Sequence, residues 1–417
     1  KKVVVMNESL GFISDLGLIL ICTKVLGLLS RKFRLPQVIG AILGGLLLGP
    51  AVLNVISETD FIHDLSKLGV IVLMFGAGMH TDISTFKKTG KPAFFVALIG
   101  VLVPLLGGFL LTWLFNRPAL LDTSDAGAPL LLQNIFIGVV LTATSVSITV
   151  EALKEMGKLN TEVGNVILSA AIIDDVLGII VLTIVTGFAG ENSNILMVLL
   201  KMMLYFVLAG VVSIGFNKLF NRYQSFFHHD RRRFTTFAFV YCLFLSYIAE
   251  RFFGVADITG AFIAGLAISG TMRREYIAKN IEVMSYALLS PMFFASIGLR
   301  VSLPSMTAMV LIFAVLLLLV AIVTKIIGCG LAAKCFHFDK HESLQIGVGM
   351  MTRGEVALIV ANKGATAGLM SNVFFGPIVL MVIVTAIVTP VILKWTFRER
   401  ADKMAETAKN SPVLPQH

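Results

Sequence analysis

The chain has 417 residues, of which 57% are hydrophobic and only 14% charged, with a mean hydropathy of +0.89. A water-soluble globule could not bury so apolar a composition and keep a polar surface, which excludes a soluble enzyme, a secreted disulfide scaffold and a disordered regulator. The formal net charge of +9 sits in short loops between apolar runs, so it points to membrane topology and not to nucleic acid.

Lys1 to Val5 precede Met6 and read as an expression remnant, with no cleavable signal peptide after them. About thirteen apolar segments follow, near 11–29, 36–55, 65–80, 92–115, 129–153, 161–188, 195–219, 234–250, 255–271, 283–301, 307–333, 343–368 and 373–395. Most are close to the length that crosses a bilayer as a helix. The expected fold is an all-α polytopic membrane protein. The linkers leave no room for a soluble domain. The polar tail after Trp395 carries no nucleotide-binding fingerprint. Cys22, Cys242, Cys329 and Cys335 form no CxxC pair and read as packing residues, without a metal site or a required disulfide.

Loop charges alternate across these segments. One set of loops carries Arg31, Lys32, Arg34, Lys87, Lys88, Lys91, Lys154, Lys158, Lys218, Arg222, Arg231, Arg232, Arg233, Arg273, Arg274, Lys279, Lys334 and Lys340, and the tail adds Lys394, Arg398, Arg400, Lys403 and Lys409. The other set has only Lys67, Arg117, Arg251 and Arg300, beside acidic Glu58, Asp60, Asp64, Asp122 and Asp125. The positive-inside rule then predicts an outside N-terminus and a cytoplasmic C-terminus. His80, His228, His229, His337 and His341 fall near the cytoplasmic face, where ordinary solvated loop histidines are the expectation.

The chain also repeats itself. Gly40-Ala41 and Gly45-Leu46 of segment 2 match Gly260-Ala261 and Gly265-Leu266 of segment 9, each 220 residues on. Gly78-Met79 matches Gly298-Leu299 at the same offset. Thr142-x-x-Ser145 of segment 5 matches Thr352-x-x-Glu355 of segment 12, 210 residues on. Segments 1–6 thus resemble 8–13. A shift of seven crossings reverses orientation, giving two inverted-topology repeats of the kind that build secondary transporters. Helix packing through small residues is the plain alternative for any one match.

Ionisable side chains inside a span are costly and mark function. Asp174 and Asp175 stand in AAIIDDVLGII at the middle of segment 6. Adjacent helical residues point about 100° apart, so one faces a water-filled path while the other faces a neighbouring helix. Lys325, in AIVTKIIGCGL of segment 11, is too deep to reach water easily and needs an anion, with Asp174 or Asp175 as candidates. Segment 12 carries Arg353-Gly354-Glu355, read either as an internal ion pair or as part of a discontinuous helix. Segment 5 carries the hydroxyls Thr142, Thr144, Ser145 and Ser147. Both segments are poor lipid-facing helices, and both are expected to be discontinuous, their freed carbonyls and half-helix ends lying beside a site. Asp15, Lys24, Lys201 and Lys363 lie nearer span ends and read as interfacial. A hard monovalent cation needs oxygen ligands, and a carboxylate with hydroxyls, carbonyls and water supplies them. The same carboxylate binds a proton, so the two ions compete for one group.

The paired aspartates, LTATSVSITV, the TKIIG lysine, PMFFASIGLRV and TRGEVALIV together resemble the monovalent cation:proton antiporter superfamily, and within it the two-aspartate NapA-type sodium/proton antiporters. The resemblance covers essentially the whole chain. It implies a dimerisation scaffold (1–85 and 234–304), a core ion-translocation domain (86–190 and 305–396), a linker helix with a cytoplasmic loop (191–233) and a cytoplasmic tail (397–417). Segments 5 and 12 would be two crossing discontinuous helices. Asp175 would be the main carrier of proton and cation, Asp174 the partner of Lys325, and Thr142, Thr144 and Ser145 ion neighbours, with Glu355 and Arg353 supporting the core. The implied activity is secondary active exchange of Na+ or Li+ for H+, electrogenic and elevator-like, in a homodimer of the bacterial inner membrane, serving pH homeostasis. No cofactor is implied beyond the transported ions, and no enzymatic activity. A K+/H+ or mixed K+/Na+ exchanger is the nearest alternative. A non-transporting sensor and an organic-anion symporter are more distant, and aspartyl proteolysis more distant still, because adjacent aspartates diverge where a protease needs them to converge.

Overall fold

The computed structural model describes residues 2–33, 35–81, 83–117, 120–121, 123, 125–188, 195–226, 231–301 and 306–410. Arg34, Asp122, His228 and His229 lie outside the described residues, and so do the side chains of Lys87, Lys88, Arg231, Arg232, Arg400, Lys403 and Lys409. All regular structure described is helical. In chain order the helices are α1 (Lys2–Lys32), α2 (Gln37–Leu48), α3 (Asp60–His80), α4 (Ile83–Phe115), α5 (Leu130–Thr142), α6 (Val146–Glu155), α7 (Glu162–Phe188) and α8 (Ile195–Phe226). Then come α9 (Arg231–Phe253), α10 (Asp257–Ser269), α11 (Arg274–Met284), α12 (Ser290–Leu299), α13 (Ala308–Cys335), α14 (Lys340–Gly349), α15 (Glu355–Thr366) and α16 (Phe375–Asn410). A π-helical turn, Ser285–Leu289, joins α11 to α12.

Each predicted apolar segment coincides with a helix or a broken helix. Among the described residues ten stretches are long and apolar enough to cross a bilayer, with α5–α6 and α11–α12 each counting as one. Segments 2 and 9 are shorter than their hydropathy suggests. Helices α2 and α10 have 12 and 13 residues, about 20 Å at 1.5 Å per residue. The chain turns at Gly49-Pro50, where a Cβ on Gly49 would stand 3.1 Å from Leu299 Cα. Segment 10 starts nine residues before its apolar stretch, at Arg274, because α11 (REYIAKNIEVM) is amphipathic and an apolar window misses it. The tail is not extended: α16 continues as helix through Asn410.

Close backbone approach organises the packing. A Cβ on Gly45 would fall on the Ala295 backbone of α12, and one on Gly298 would fall on α2 between Ile42 and Leu46. At the positions 220 residues away the picture repeats: Gly265 and Gly78 press α10 onto α3 at Phe75 and Phe262. Only glycine allows helices to come this near. A first bundle forms in this way, with α2 against α1 and α12, and α10 against α9 and α3. In a second bundle α4 packs on α5, α7 and α13, α13 packs on α14 and α16, and α15 packs on α5 and α16. Helix α8 touches α7 of the second bundle and α9 and α10 of the first.

The two bundles are joined unequally. One apolar cluster runs through both, from Ile42 and Phe75 to Ile148, Leu153 and Val166. At the opposite end the cluster splits. Phe136, Leu141, Phe313 and Phe374 pack within the second bundle, while Ile19, Leu48, Met292 and Leu299 pack within the first. The joined end is the one bearing Arg31, Lys154 and Lys394.

Candidate functional site

Two helices break in the second bundle. Helix α5 ends at Thr142 and α6 begins after Ser145, with Ala143 and Ser145 in extended conformation. Helix α14 ends at Gly349 and α15 begins at Glu355. The breaks meet: the Ser145 backbone N–H donates to the Thr352 carbonyl at 2.8 Å. Thr149 Oγ1 donates to the Gly349 carbonyl at 2.9 Å and lies 2.9 Å from Thr352 Oγ1. Gly354 is required here, because a Cβ would run into the Ser145 side chain. Helix breaks free backbone groups that no lipid can satisfy. The crossing satisfies some of them by pairing one break with the other.

Arg353 is fully buried. Its guanidinium lies 3.5 Å from the Met350 and Met351 carbonyls and 3.4 Å from that of Ala321 in α13. It forms no ion pair with Glu355 among the described residues, so the internal-pair reading of segment 12 gives way to another. A cation sits at the C-terminal end of half-helix α14, where unpaired carbonyls and the helix dipole leave negative charge.

The central aspartates diverge. Asp174, 2% exposed, accepts from Lys325 Nζ at 3.0 Å, and Lys325 itself is 0% exposed. Gly100 of α4 makes room for that lysine, since a Cβ there would crowd Cys329 Sγ at 2.7 Å and Lys325 Nζ at 3.5 Å. Asp175 points away and is half-buried. Its Oδ2 is shut off from the surface and takes no hydrogen bond, as are Glu355 Oε2 and Thr144 Oγ1. Asp175 lies within electrostatic reach of Asp174, Glu355 and Lys325. Thr142 Oγ1 already donates to the Val139 carbonyl at 2.7 Å, and Ser145 Oγ lies 3.3 Å from Ser147 Oγ. Both hydroxyl oxygens keep lone pairs for a cation. Buried unpaired oxygens are costly in a folded protein. A carboxylate, a second carboxylate and a hydroxyl left in that condition beside freed backbone make the donor set a hard monovalent cation or a proton would complete.

Two carboxylates at the joined end, Glu151 and Glu155, escaped the sequence reading. Helix α2 begins after Pro36 with no side-chain cap of its own. Glu155 of the other bundle supplies the cap, its Oε2 and Oε1 accepting from the Gln37 and Val38 N–H groups at 2.7 and 3.2 Å. Beside it Lys154 Nζ pairs with Glu282 of α11 at 2.9 Å. Glu151, one turn up from Glu155, faces a crevice between the bundles lined also by Gln37, Tyr286 and Ser290. Segment 5 was cut at residue 153 on hydropathy, and the i, i+4 glutamates of VEALKE were the available signal. Lys24, read as interfacial, forms a wall of this crevice, donating to the Tyr286 carbonyl at 3.0 Å and standing 3.5 Å over its ring. The cysteines are free thiols: Cys242 and Cys329 are buried, but Cys335 is exposed, so packing does not explain that one. His80 is half-buried, and His337 and His341 sit at the ends of α13 and α14.

The family model described as sodium/hydrogen exchanger, transmembrane, matches residues 17–399. The chain belongs to the sodium/hydrogen exchanger family. This exchanger is 37% identical to a Na(+)/H(+) antiporter of Enterococcus hirae over 92% of its own length and 97% of the relative. It is 36% identical to the Na(+)/H(+)-K(+) antiporter GerN of Bacillus cereus, over 95% and 99%. In fold it is similar to the sodium proton antiporter MjNhaP1 of Methanocaldococcus jannaschii, with a TM-score of 0.65 at 19% identity, covering 92% of this chain and 95% of that one. The superfamily resemblance drawn from the aspartates and the TRGEVALIV stretch therefore holds, and the exchanger is a multi-pass membrane transporter in place of an enzyme.

Proposed function

We propose that this exchanger moves Na+ or Li+ against H+ across the bacterial inner membrane, with Asp175 as the shared carrier. The observation that carries this reading is the unpaired, shut-off Oδ2 of Asp175 in the middle of a membrane span, next to two crossed helix breaks. A proton or a cation satisfies that oxygen, and the two compete for it. Thr142, Thr144 and Ser145 line the cation's side, and Glu355 adds a second carboxylate. Asp174 holds Lys325 in its charged form. When the cation arrives and the pair loosens, Lys325 gives up a second proton, making exchange electrogenic.

The basic end is the cytoplasmic face by the positive-inside rule. The N-terminus is then outside and the C-terminus inside. On this topology α2, α10 and the α14–α15 pair complete thirteen crossings in two inverted repeats. The first bundle acts as the dimerisation scaffold and the second as a core that slides against it. The unequal joining supports that division: core and scaffold share apolar packing on the cytoplasmic side and part on the outer side. Ion access is then from outside in this conformation, and the Glu155 and Lys154 contacts must open for access from the cytoplasm.

The test is purified protein in liposomes with a pH-sensitive dye, challenged with Na+, Li+ and K+ in turn. Wild type is expected to respond to Na+ and Li+, and Asp175→Asn to none of them while keeping its thermal stability. A response to K+ alone selects K+/H+ exchange, and a response to K+ beside Na+ selects mixed exchange, the reading that similarity to the Na(+)/H(+)-K(+) antiporter GerN favours. Exchange that ignores an imposed membrane potential overturns the electrogenic part, and an active Asp175→Asn overturns the site.

A further inference from the structure

A groove opens at the basic end between the two bundles. It is lined by Arg31, Phe33 and Leu35 from the end of α1 and the turn into α2, and by Val391, Lys394, Trp395 and Arg398 from α16, with Gln37 and Glu155 at its floor. Three cations and one carboxylate thus line it. Both Glu155 oxygens are already engaged by backbone N–H groups of α2. Arg31 and Lys394 lie within electrostatic reach of Glu155, but neither makes an ion pair with any described residue. The walls are apolar: Phe33 is 68% and Trp395 60% exposed. An indole near the end of the apolar stretch of α16, beside an apolar wall and among guanidinium and ammonium groups, is the arrangement found where acyl chains meet headgroups.

We infer that this groove binds an anionic phospholipid, its phosphate held by Arg31, Lys394 and Arg398 and its acyl chains laid along Phe33, Leu35, Val391 and Trp395. The apolar walls select a lipid over a free phosphate, and the cations select an anionic lipid over a zwitterionic one. The groove is built half from each bundle, next to the Glu155 contact that joins them. A lipid seated there bridges the scaffold and the core, and its presence favours the conformation in which that end is closed. The inference rests on the reading of the basic end as the cytoplasmic face, at the level of the cytoplasmic headgroups.

Native mass spectrometry of the purified full chain, titrated with phosphatidylglycerol or phosphatidylcholine, tests the site. Wild type is expected to retain phosphatidylglycerol in preference. Each basic residue near a lipid surface contributes on the order of 1 kcal/mol, so the double variant Arg31→Gln/Lys394→Gln should bind it roughly thirtyfold more weakly. The charge-keeping pair Arg31→Lys/Lys394→Arg should bind as wild type, which separates the site from a folding defect. Lys334→Gln/Lys340→Gln, at exposed positions outside the groove, should also bind as wild type. Unchanged binding in the Arg31/Lys394 glutamine pair overturns the proposal. So does an equal loss in the Lys334/Lys340 pair, or displacement of the lipid by millimolar inorganic phosphate. Asp175→Asn must bind lipid as wild type does, so failure of the exchange reading and failure of this one are told apart.

Discussion

The buried pair of Lys325 and Asp174 lends itself to a double-mutant cycle. The ammonium and carboxylate are 3.0 Å apart, and both are almost wholly removed from solvent. At an effective dielectric constant of about 20, their attraction is roughly 5 kcal/mol, most of which offsets desolvation. Lys325→Met keeps much of the side-chain volume that Gly100 accommodates but leaves Asp174 buried without its cation. Losing one partner of a buried pair costs about 3–5 kcal/mol, whereas replacing both is often close to neutral. Lys325→Met and Asp174→Asn should each destabilise by about 3 kcal/mol, and the double variant by much less. The coupling energy is then at least about 3 kcal/mol, well above the roughly 0.2–1 kcal/mol of an exposed pair. SDS unfolding of the purified protein in mixed micelles, followed by circular dichroism, measures all four corners. A coupling energy under about 1 kcal/mol, or a double variant as unstable as the sum of the singles, refutes the argument. Proteoliposomes of the double variant add a second readout: exchange that survives should no longer respond to membrane potential.

Three other outcomes follow from the packing and the loops. Gly265→Ala places a Cβ on the Phe75 carbonyl of α3 and should lower the thermal midpoint, costing about 1–3 kcal/mol by overpacking, while Gly210→Ala, with nothing near its Cβ, should not. Glu155→Ala removes the only side chain that caps α2 among the described residues, so a cysteine placed at Ser290 in a cysteine-free background should react faster with a membrane-impermeant maleimide applied from the face that bears Lys154; an unchanged rate sinks the idea that Glu155 holds that face closed. Asp125, between α4 and α5, accepts from the Asn372 backbone N–H and Nδ2 at 2.9 and 3.0 Å. Partial burial pushes its carboxyl up, but hydrogen bonds from Ser371 and Asn372 more than offset this and hold it below the usual carboxylate range. Because the folded-state value is depressed, its contribution is complete above the unfolded value and disappears as pH falls through the folded one. Asp125→Asn should therefore lower the thermal midpoint at neutral pH and converge with wild type in acid.

Much of this architecture was legible in the residues, because partition between lipid and water is decided side chain by side chain. Runs of apolar residues located the helices that are long and apolar enough to cross a bilayer, and the rarity of charge inside the runs singled out Asp174, Asp175, Lys325, Arg353 and Glu355. The hydroxyl-rich LTATSVSITV and the glycine of TRGEV marked where helices would break. Glycines repeating at 220 residues marked positions where helix backbones touch, without saying which helices. Where apolarity and helicity part company the reading slipped: amphipathic α11 and the last residues of α6 extend past the predicted apolar segments, so Glu155 went unnoticed, and Glu151 was passed over within an apolar run.

Other features depend on how helices are rotated and placed, which no local pattern encodes. Composition and spacing left both aspartates as candidates for Lys325, with only the family resemblance naming Asp174, and the rotation of α7 against α13 gave the lysine to Asp174 and left Asp175 Oδ2 unpaired. The partners of Arg353 turned out to be carbonyl oxygens of Met350 and Met351, just past α14, and of Ala321 in α13, because the break in segment 12 delivers backbone to the guanidinium before any carboxylate reaches it. The cap on α2 comes from a residue 118 positions away. The shared packing of the two bundles at one end, and its division at the other, is a property of the assembled helices alone. Composition determined that this chain lives in a membrane and keeps charge inside it. Tertiary structure decided which of those charges are satisfied and which carboxylate oxygen, Asp175 Oδ2, is left without a partner, because satisfaction depends on what lies within 3 Å or so in space.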